Sequence, residues 1–287
     1  MTQSSATFET LRSQLRFRGQ LIARTGLRIG AGRDTDVAGH DLPVMRDVSG
    51  RPFIPGSSFK GVLRASLESL LRGLGDDATM QRRFACNVIN PAERCVSDAE
   101  YSAWYRELTA DRATLAQRVV ERSCLICQTF GSTRLAAHVA VRDLAVETSS
   151  WFGQFEVRQG VALDRDTETA YPAALYSFET VPPGTRFNLE VVGDNLRDWQ
   201  KGLLWLGLQP FVRGEGSIGG ARSRGLGAVE LQAGDWSVWD AEPGNADSII
   251  AFLIEGAQTV QTAQSDAWRD ALLRQLQDTP LQGVRDA

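Results

Sequence analysis

The chain has 287 residues, 43% of them hydrophobic and 23% charged, which is the balance of an ordinary globular protein with one sizeable domain or a domain carrying a long insertion. No run of roughly 18 apolar residues exists to span a membrane, and the opening MTQSSATFETLRSQLRFRG has neither the apolar stretch nor the cleavage site of a secretory leader, so a cytoplasmic location without membrane contact is expected. The formal net charge of −4 argues only weakly against a nucleic-acid partner, because phosphate binding depends on local patches rather than totals.

Of the 31 lysines and arginines, only Lys60 and Lys201 are lysines. Arginine presents a planar fork of donors that suits phosphate oxygens and stacks on bases. A GC-rich genome would produce the same bias.

Residues 1–13 are polar and read as a loose arm or a short helix. From Leu15 to Ile29, LRFRGQLIARTGLRI alternates apolar and polar residues and predicts a first strand. GAGRDTDVAGHD is loop-like, and PVMRDVSGRPFIPGSS predicts a short strand and turn leading into a helix. In that helix Gly56-Ser57-Ser58 supplies the N-cap, and Phe59, Val62, Leu63, Leu67, Leu70 and Leu71 recur at three- and four-residue spacing. Lys60 and Arg64 sit four apart on the flank of the apolar stripe, near a helix start that favours anions. The plainer alternative is a solvated charge pair beside a core stripe.

Residues 73–130 form an insertion with a helix near 98–122. LAAHVAVRDLAVE predicts a strand, residues 150–180 an extended hairpin, RFNLEVVG a strand and LRDWQKGLLWLGLQPF an apolar helix. The loop GEGSIGGARSRGLG then leads into the strand AVELQ, and past residue 241 an acidic stretch precedes one amphipathic helix near 264–277. The order predicts an α+β protein with a ferredoxin-like β-α-β-β-α-β core over 14–241 and a tail over 242–287.

Three groups of residues carry chemistry. Cys86, Cys95, Cys124 and Cys127 are the chain's four cysteines, and the pair two residues apart is the usual knuckle of a closed, structural zinc site. Two disulfides, a redox pair or buried thiols remain alternatives. In the glycine loop, Gly216, Ser217, Gly219 and Gly220 let backbone amides approach a phosphate chain, with Arg222 and Arg224 adding charge. The loop is neither a P-loop nor a dinucleotide fingerprint, and a flexible linker is the competing reading. The segment from Asp34 to Asp47 offers Asp34, Asp36 and Asp41, any of which could hold Mg or Mn on a phosphate or accept the proton of a 2′-hydroxyl. Aspartates in such loops usually make turns. The chain's two histidines, His40 and His138, are not placed together by any motif.

Four stretches in order, spanning positions 20 to 232, resemble the RAMP superfamily backbone subunits of type III CRISPR effectors, which serve in antiviral defence. They are TGLRIGAGRDTDVAGHDLPVMRDVSGRPFIPGSSFKGVLRASLE, CLICQTFGS, RQGVALDRDTETAYPAALYSFETVPPGTRF and GSIGGARSRGLGAVEL. The resemblance implies a modified RRM-like palm with a zinc-bearing insertion and a β-hairpin thumb near 150–180, stacked in copies on guide RNA beside other effector subunits. It implies cleavage of guide-paired target RNA, with a divalent metal, by Asp41 in His40-Asp41-Leu42-Pro43-Val44; Asp34 and Asp36 are weaker candidates. It places Ser58, Lys60, Arg64 and the glycine loop on the guide, and Arg158 and Arg165 of the thumb near RNA. The cysteines match a zinc-carrying, D-like subset. Two further readings stay open: the same backbone role without nuclease activity, and a stand-alone guide-processing ribonuclease using His40. The RNA-binding readings require an electropositive furrow from Lys60 to Arg222.

Overall fold

The computed structural model describes residues 8–32 and 42–284. Strand β1 (Ser13–Ala23) lies inside an antiparallel sheet, where alternation buries Leu15 and Phe17. The predicted continuation to Ile29 does not form. The Ala228 carbonyl accepts from both Arg24 and Thr25, which ends the ladder, and the chain then crosses to isolated bridges at Leu27–Val181 and Gly30–Val44.

After β2 (Phe53–Ile54) comes helix α1 (Gly56–Arg72), which buries Phe59, Leu63, Leu67 and Leu71. Gly56, Ser57 and Ser58 do not cap this helix but already form its first turn. The Gly56 amide donates to Asp143 Oδ1 at 2.8 Å, and a Cβ at residue 56 would stand 2.1 Å from the Val141 carbonyl oxygen. Only glycine fits so close to a neighbouring backbone.

The insertion contains α2 (Ala78–Phe84), α3 (Asp98–Glu107), α4 (Arg112–Arg122) and α5 (Leu125–Phe130). The single helix predicted near 98–122 is two, because the Asp111 side chain takes the Thr114 amide and starts a new N-terminus. The strand predicted after residue 134 is likewise split into β3 (Val139–Val141) and β4 (Leu144–Ala145), where Asp143 turns aside to reach α1.

Next come β5 (Glu156–Leu163) and β6 (Ala170–Thr180), a two-stranded ribbon paired with itself, then β7 (Arg186–Asp194) and α6 (Asp198–Val212). Strands β8 (Gly216–Ser217) and β9 (Ala228–Asp240) follow the glycine loop's two arms. The tail adds α7 (Ala246–Glu255), β10 (Gln258–Thr259) and α8 (Thr262–Val284), one helix more than predicted.

The strand order β10-β9-β1-β7-β3, antiparallel throughout, places α1 and α6 in the two crossovers of the expected β-α-β-β-α-β arrangement. A bulge between Arg18 and Gln20 curls the sheet; a Cβ on Gly234 opposite would stand 1.9 Å from the Arg18 carbonyl. Beneath the sheet, α1 meets α6 through Phe59 and Phe211, whose rings lie 5.2 Å apart. Each such buried side chain stabilises the fold by about 1.5–3 kcal/mol. Among the described residues no helix is long and apolar enough to cross a membrane.

Candidate functional site

Glycine brings the loop after α6 flat against the segment after β1. The Gly220 amide donates to the Arg28 carbonyl at 2.9 Å, and Gly219, with φ of +88°, leaves no room for a Cβ, which would lie 2.3 Å from that oxygen. Gly216 is buried for another reason: a side chain there would strike the Phe211 ring. Gly216 and Ser217 therefore build strand β8, while Gly219, Gly220 and Arg222 face outward.

The outward face forms one wall of an open groove of about 860 Å³. The opposite wall is one flank of α1, with Ser57, Ser58, Gly61, Ala65 and Ser69; Arg28 and Ile29 make the floor. Its basic lining residues are Arg28 and Arg222, and no carboxylate lines it among the described residues. This groove joins the helix start to the loop around Arg222, but Lys60, the expected start of the furrow, is not in it. Lys60 Nζ donates to the Val139 carbonyl at 2.7 Å, and burial lowers its pKa from the usual range. Arg64 is turned the same way, to the Gly131 carbonyl at 2.9 Å, Glu68 at 2.8 Å and Cys127 Sγ at 3.5 Å. Ser58 lines the groove.

A second, smaller cavity of about 300 Å³ adjoins it, lined by Arg28, Leu42, Tyr176, Phe178, Ala221, Ser223 and Arg224. Arg224 donates to the Tyr176 hydroxyl, and Tyr176 stacks on Phe178 at 6.0 Å. The Tyr176 ring also covers Gly160 on the facing strand, where a Cβ would lie 2.3 Å from it. Asp34, Asp36, His40 and Asp41 fall outside the described residues. The segment's flanks are fixed: Ala31 donates to Pro43 at 3.1 Å, Met45 to Ile29 at 2.8 Å, and Leu42 bridges Phe178. Asp41 therefore directly precedes a residue that lines the smaller cavity.

At the base of the ribbon, Arg158 pairs with Glu156 at 3.0 Å and packs beside Gly26. Arg165 is exposed in the turn at the far end, which Asp164 shapes by accepting the amides of Asp166 and Thr167. His138 is buried, with Nδ1 2.8 Å from the Asp194 carbonyl oxygen, and burial lowers its pKa; it lines neither cavity. Sequence reading missed Arg28, Tyr176 and Phe178. The period-two aromatics of LYSFET were the available signal for the last two, since alternation puts them on one face of the ribbon.

Behind α1, the four cysteines converge. Cys86 follows α2, Cys95 lies in the next loop, and Cys124 and Cys127 open α5; their sulfurs all lie within 4.8 Å of one another. No disulfide links them. The Cys86 to Cys127 separation of 3.5 Å is close to the edge, about 3.8 Å, of a sulfur tetrahedron around an ion with bonds of about 2.3 Å. The amides of Cys86 and Cys127 both donate to Cys124 Sγ at 3.4 Å. Hydrogen bonding with the Cys124 thiol holds Cys86 and Cys95 below the usual thiol range. Cys124 is driven up, chiefly by its contact with Cys127. The set can hold a metal ion.

A family model described as the RAMP superfamily matches residues 20–230. The chain is 26% identical over 239 residues to the CRISPR system Cms endoribonuclease Csm3 of Methanocaldococcus jannaschii, covering 78% of this chain and 80% of that one. It is 28% identical over 231 residues to the protein of the same name from Methanothermobacter thermautotrophicus, covering 75% and 82%, and 26% identical over 230 residues to that from Enterococcus italicus, covering 78% and 95%. The matched segment runs from β1 into β9 and takes in both cavities and all four cysteines, and so the chain belongs to the RAMP superfamily.

Proposed function

We propose that this chain is a guide-RNA-binding backbone subunit of a type III CRISPR ribonucleoprotein and that it cleaves the target RNA paired with the guide. The observation that carries this reading is the groove between α1 and the glycine loop, which no carboxylate lines among the described residues, with the smaller cavity that shares Arg28 with it and is lined by Leu42. The relatives' name, endoribonuclease Csm3, agrees with it. Backbone amides and guanidinium groups track a ribose-phosphate strand without reading bases, so sequence choice falls to base pairing.

In this reading Ser58, Gly219, Gly220 and Arg222 touch the guide, with Gly216 and Ser217 holding the loop in place. Lys60 and Arg64 act from behind, Lys60 bracing α1 on strand β3 and Arg64 bracing it on the cysteine insertion. The β5–β6 ribbon is the thumb, with Arg158 and Arg165 facing RNA, and Arg224 of the glycine loop faces RNA beside it. Residues 73–130 form a zinc-bearing insertion inside a palm over 14–241. Zinc suits the all-sulfur, closed cage of Cys86, Cys95, Cys124 and Cys127, where it has a structural role because no ligand position is left for water. Asp41 is the cleaving carboxylate, with Asp34 and Asp36 beside it in sequence. A Mg or Mn ion held by such carboxylates would neutralise charge on the reacting phosphate. The partners are guide RNA, target RNA and further RAMP and other effector subunits, in the cytoplasm.

The test is Asp41→Ala in the assembled ribonucleoprotein. Target cutting at this subunit's positions should stop while guide RNA remains bound. Unchanged cutting would remove the assignment. Incubating the lone protein with repeat RNA separates a processing enzyme, which would cut within the repeat, from a backbone subunit, which would not.

A further inference from the structure

Among the residues lining the groove and the smaller cavity, Arg28 is common to both. Its guanidinium sits in a slot left by two glycines: a Cβ at Gly30 would lie 3.2 Å from Arg28 Nη2, and one at Gly220 3.2 Å from Nη1. Its Nε is buried and has no hydrogen-bond partner. Four other arginines around the cavities and the ribbon are occupied. Arg24 pairs with Glu230, Arg46 with Glu179, Arg158 with Glu156, and Arg224 with the Tyr176 hydroxyl. Among the described residues no acidic residue lines either cavity, and no carboxylate pairs with Arg28.

A guanidinium held by packing, partly withdrawn from water and left without an acceptor is costly unless a ligand supplies one. The acceptor must be anionic and offer at least two oxygens to a planar fork, which is the chemistry of a phosphodiester. We propose that Arg28 binds a phosphate of the target strand where the two cavities meet, and that this contact places the strand for cleavage beside Leu42. The inference rests on the reading that the chain carries guide RNA and cuts its complement, and it adds a residue outside the acidic segment to the cutting machinery. Arg28 is suited to both tasks of such a residue, orienting the strand and offsetting negative charge that builds on the phosphate oxygens.

The experiment compares wild type, Arg28→Ala and Arg28→Lys in the ribonucleoprotein purified with its guide RNA. It reads single-turnover cutting of a complementary target at saturation, affinity for a target with a 2′-deoxy cleavage site, and the amount of guide retained. The expected result is a fall in cutting of about 10²-fold for Arg28→Ala. Target affinity and guide retention should stay within about three-fold, and lysine should restore part of the rate because charge survives while the fork is lost. Unchanged cutting in Arg28→Ala overturns the proposal and leaves the broader reading standing. Loss of guide in proportion to loss of cutting also overturns it, by making Arg28 a guide contact alone. If wild type itself leaves a paired target intact, the broader reading fails instead. Should Arg28→Ala melt well below wild type, Arg28→Gln, which keeps most of the stem, replaces it with the same expected pattern.

Discussion

Glu179 and Arg46 fasten the segment after the acidic loop to the ribbon. Arg46 Nη2 donates to both carboxylate oxygens, at 2.6 and 2.5 Å, while the Val44 amide donates to one of them at 3.2 Å. The Arg46 guanidinium also lies 4.1 Å over the Phe155 ring. Glu179 is almost wholly buried, so Glu179→Gln leaves Arg46 without its counter-charge and should cost about 2 kcal/mol. Urea denaturation of the purified chain measures this, and no change in midpoint would show the pair to be ornamental. Such a link was invisible in the sequence, where the two residues are 133 positions apart. The convergence of the cysteines was legible because the pair two residues apart at Cys124 and Cys127 has the spacing of a metal knuckle, although the gap between Cys86 and Cys95 is wider. Lys60 and Arg64 could be placed on a flank but not on a particular one, because an apolar stripe fixes which side of a helix is buried and leaves its two shoulders equivalent. Only the packing of the insertion against α1 decides between them.

The contact between α1 and the cysteine insertion is a ladder of residues four apart. Arg64 bonds Glu68, Gly131 and Cys127; Arg72 bonds Glu68 and the carbonyls of Ala85 and Cys86. The helix that walls the groove is therefore bolted to the cysteine cluster on its other side. Cys124→Ser should abolish metal binding and loosen the insertion, since metal affinity in such sites is folding free energy. Elemental analysis should find about one zinc per wild-type chain and none in the variant. Retention of zinc by the variant would remove Cys124 from the cage. Acid should release the metal too, because the ligands must be thiolates. At this scale the strands β1, β7 and β9 and the helices α1 and α6 could be read from periodicity. The breaks between α3 and α4 and between β3 and β4 could not, because Asp111 and Asp143, residues that look like ordinary turn formers, restart or interrupt elements through bonds to newly begun or distant backbone.

Across the molecule, the tail is part of the core. A Cβ on Gly202 would stand 2.3 Å from the Trp268 carbonyl, so α8 lies backbone-close on α6, and Trp268 and Leu272 are buried with the residues of the main sheet. Lys201 is buried at the same junction and pairs with Asp240 at 2.9 Å. Trp268→Ala should cost about 3–5 kcal/mol, although the residue lies beyond the segment shared with the family. A denaturation midpoint within error of wild type would mean that α8 merely rests on the surface. Guide binding, carried by phosphate contacts, should weaken with salt at about −0.7 per contact in a plot of log affinity against log concentration. A flat response would be incompatible with the groove described.

The ribbon of β5 and β6 has a bearing on how the protein must be handled. Val157, Val161 and Leu175 lie on one of its faces and are between 46% and 64% exposed, while the opposite face carries Arg158, Tyr176 and Phe178. Apolar surface of that extent in water invites chains to stick to one another. Light scattering of the chain made without RNA should rise with concentration, and Val161→Lys with Leu175→Glu should hold the preparation clear.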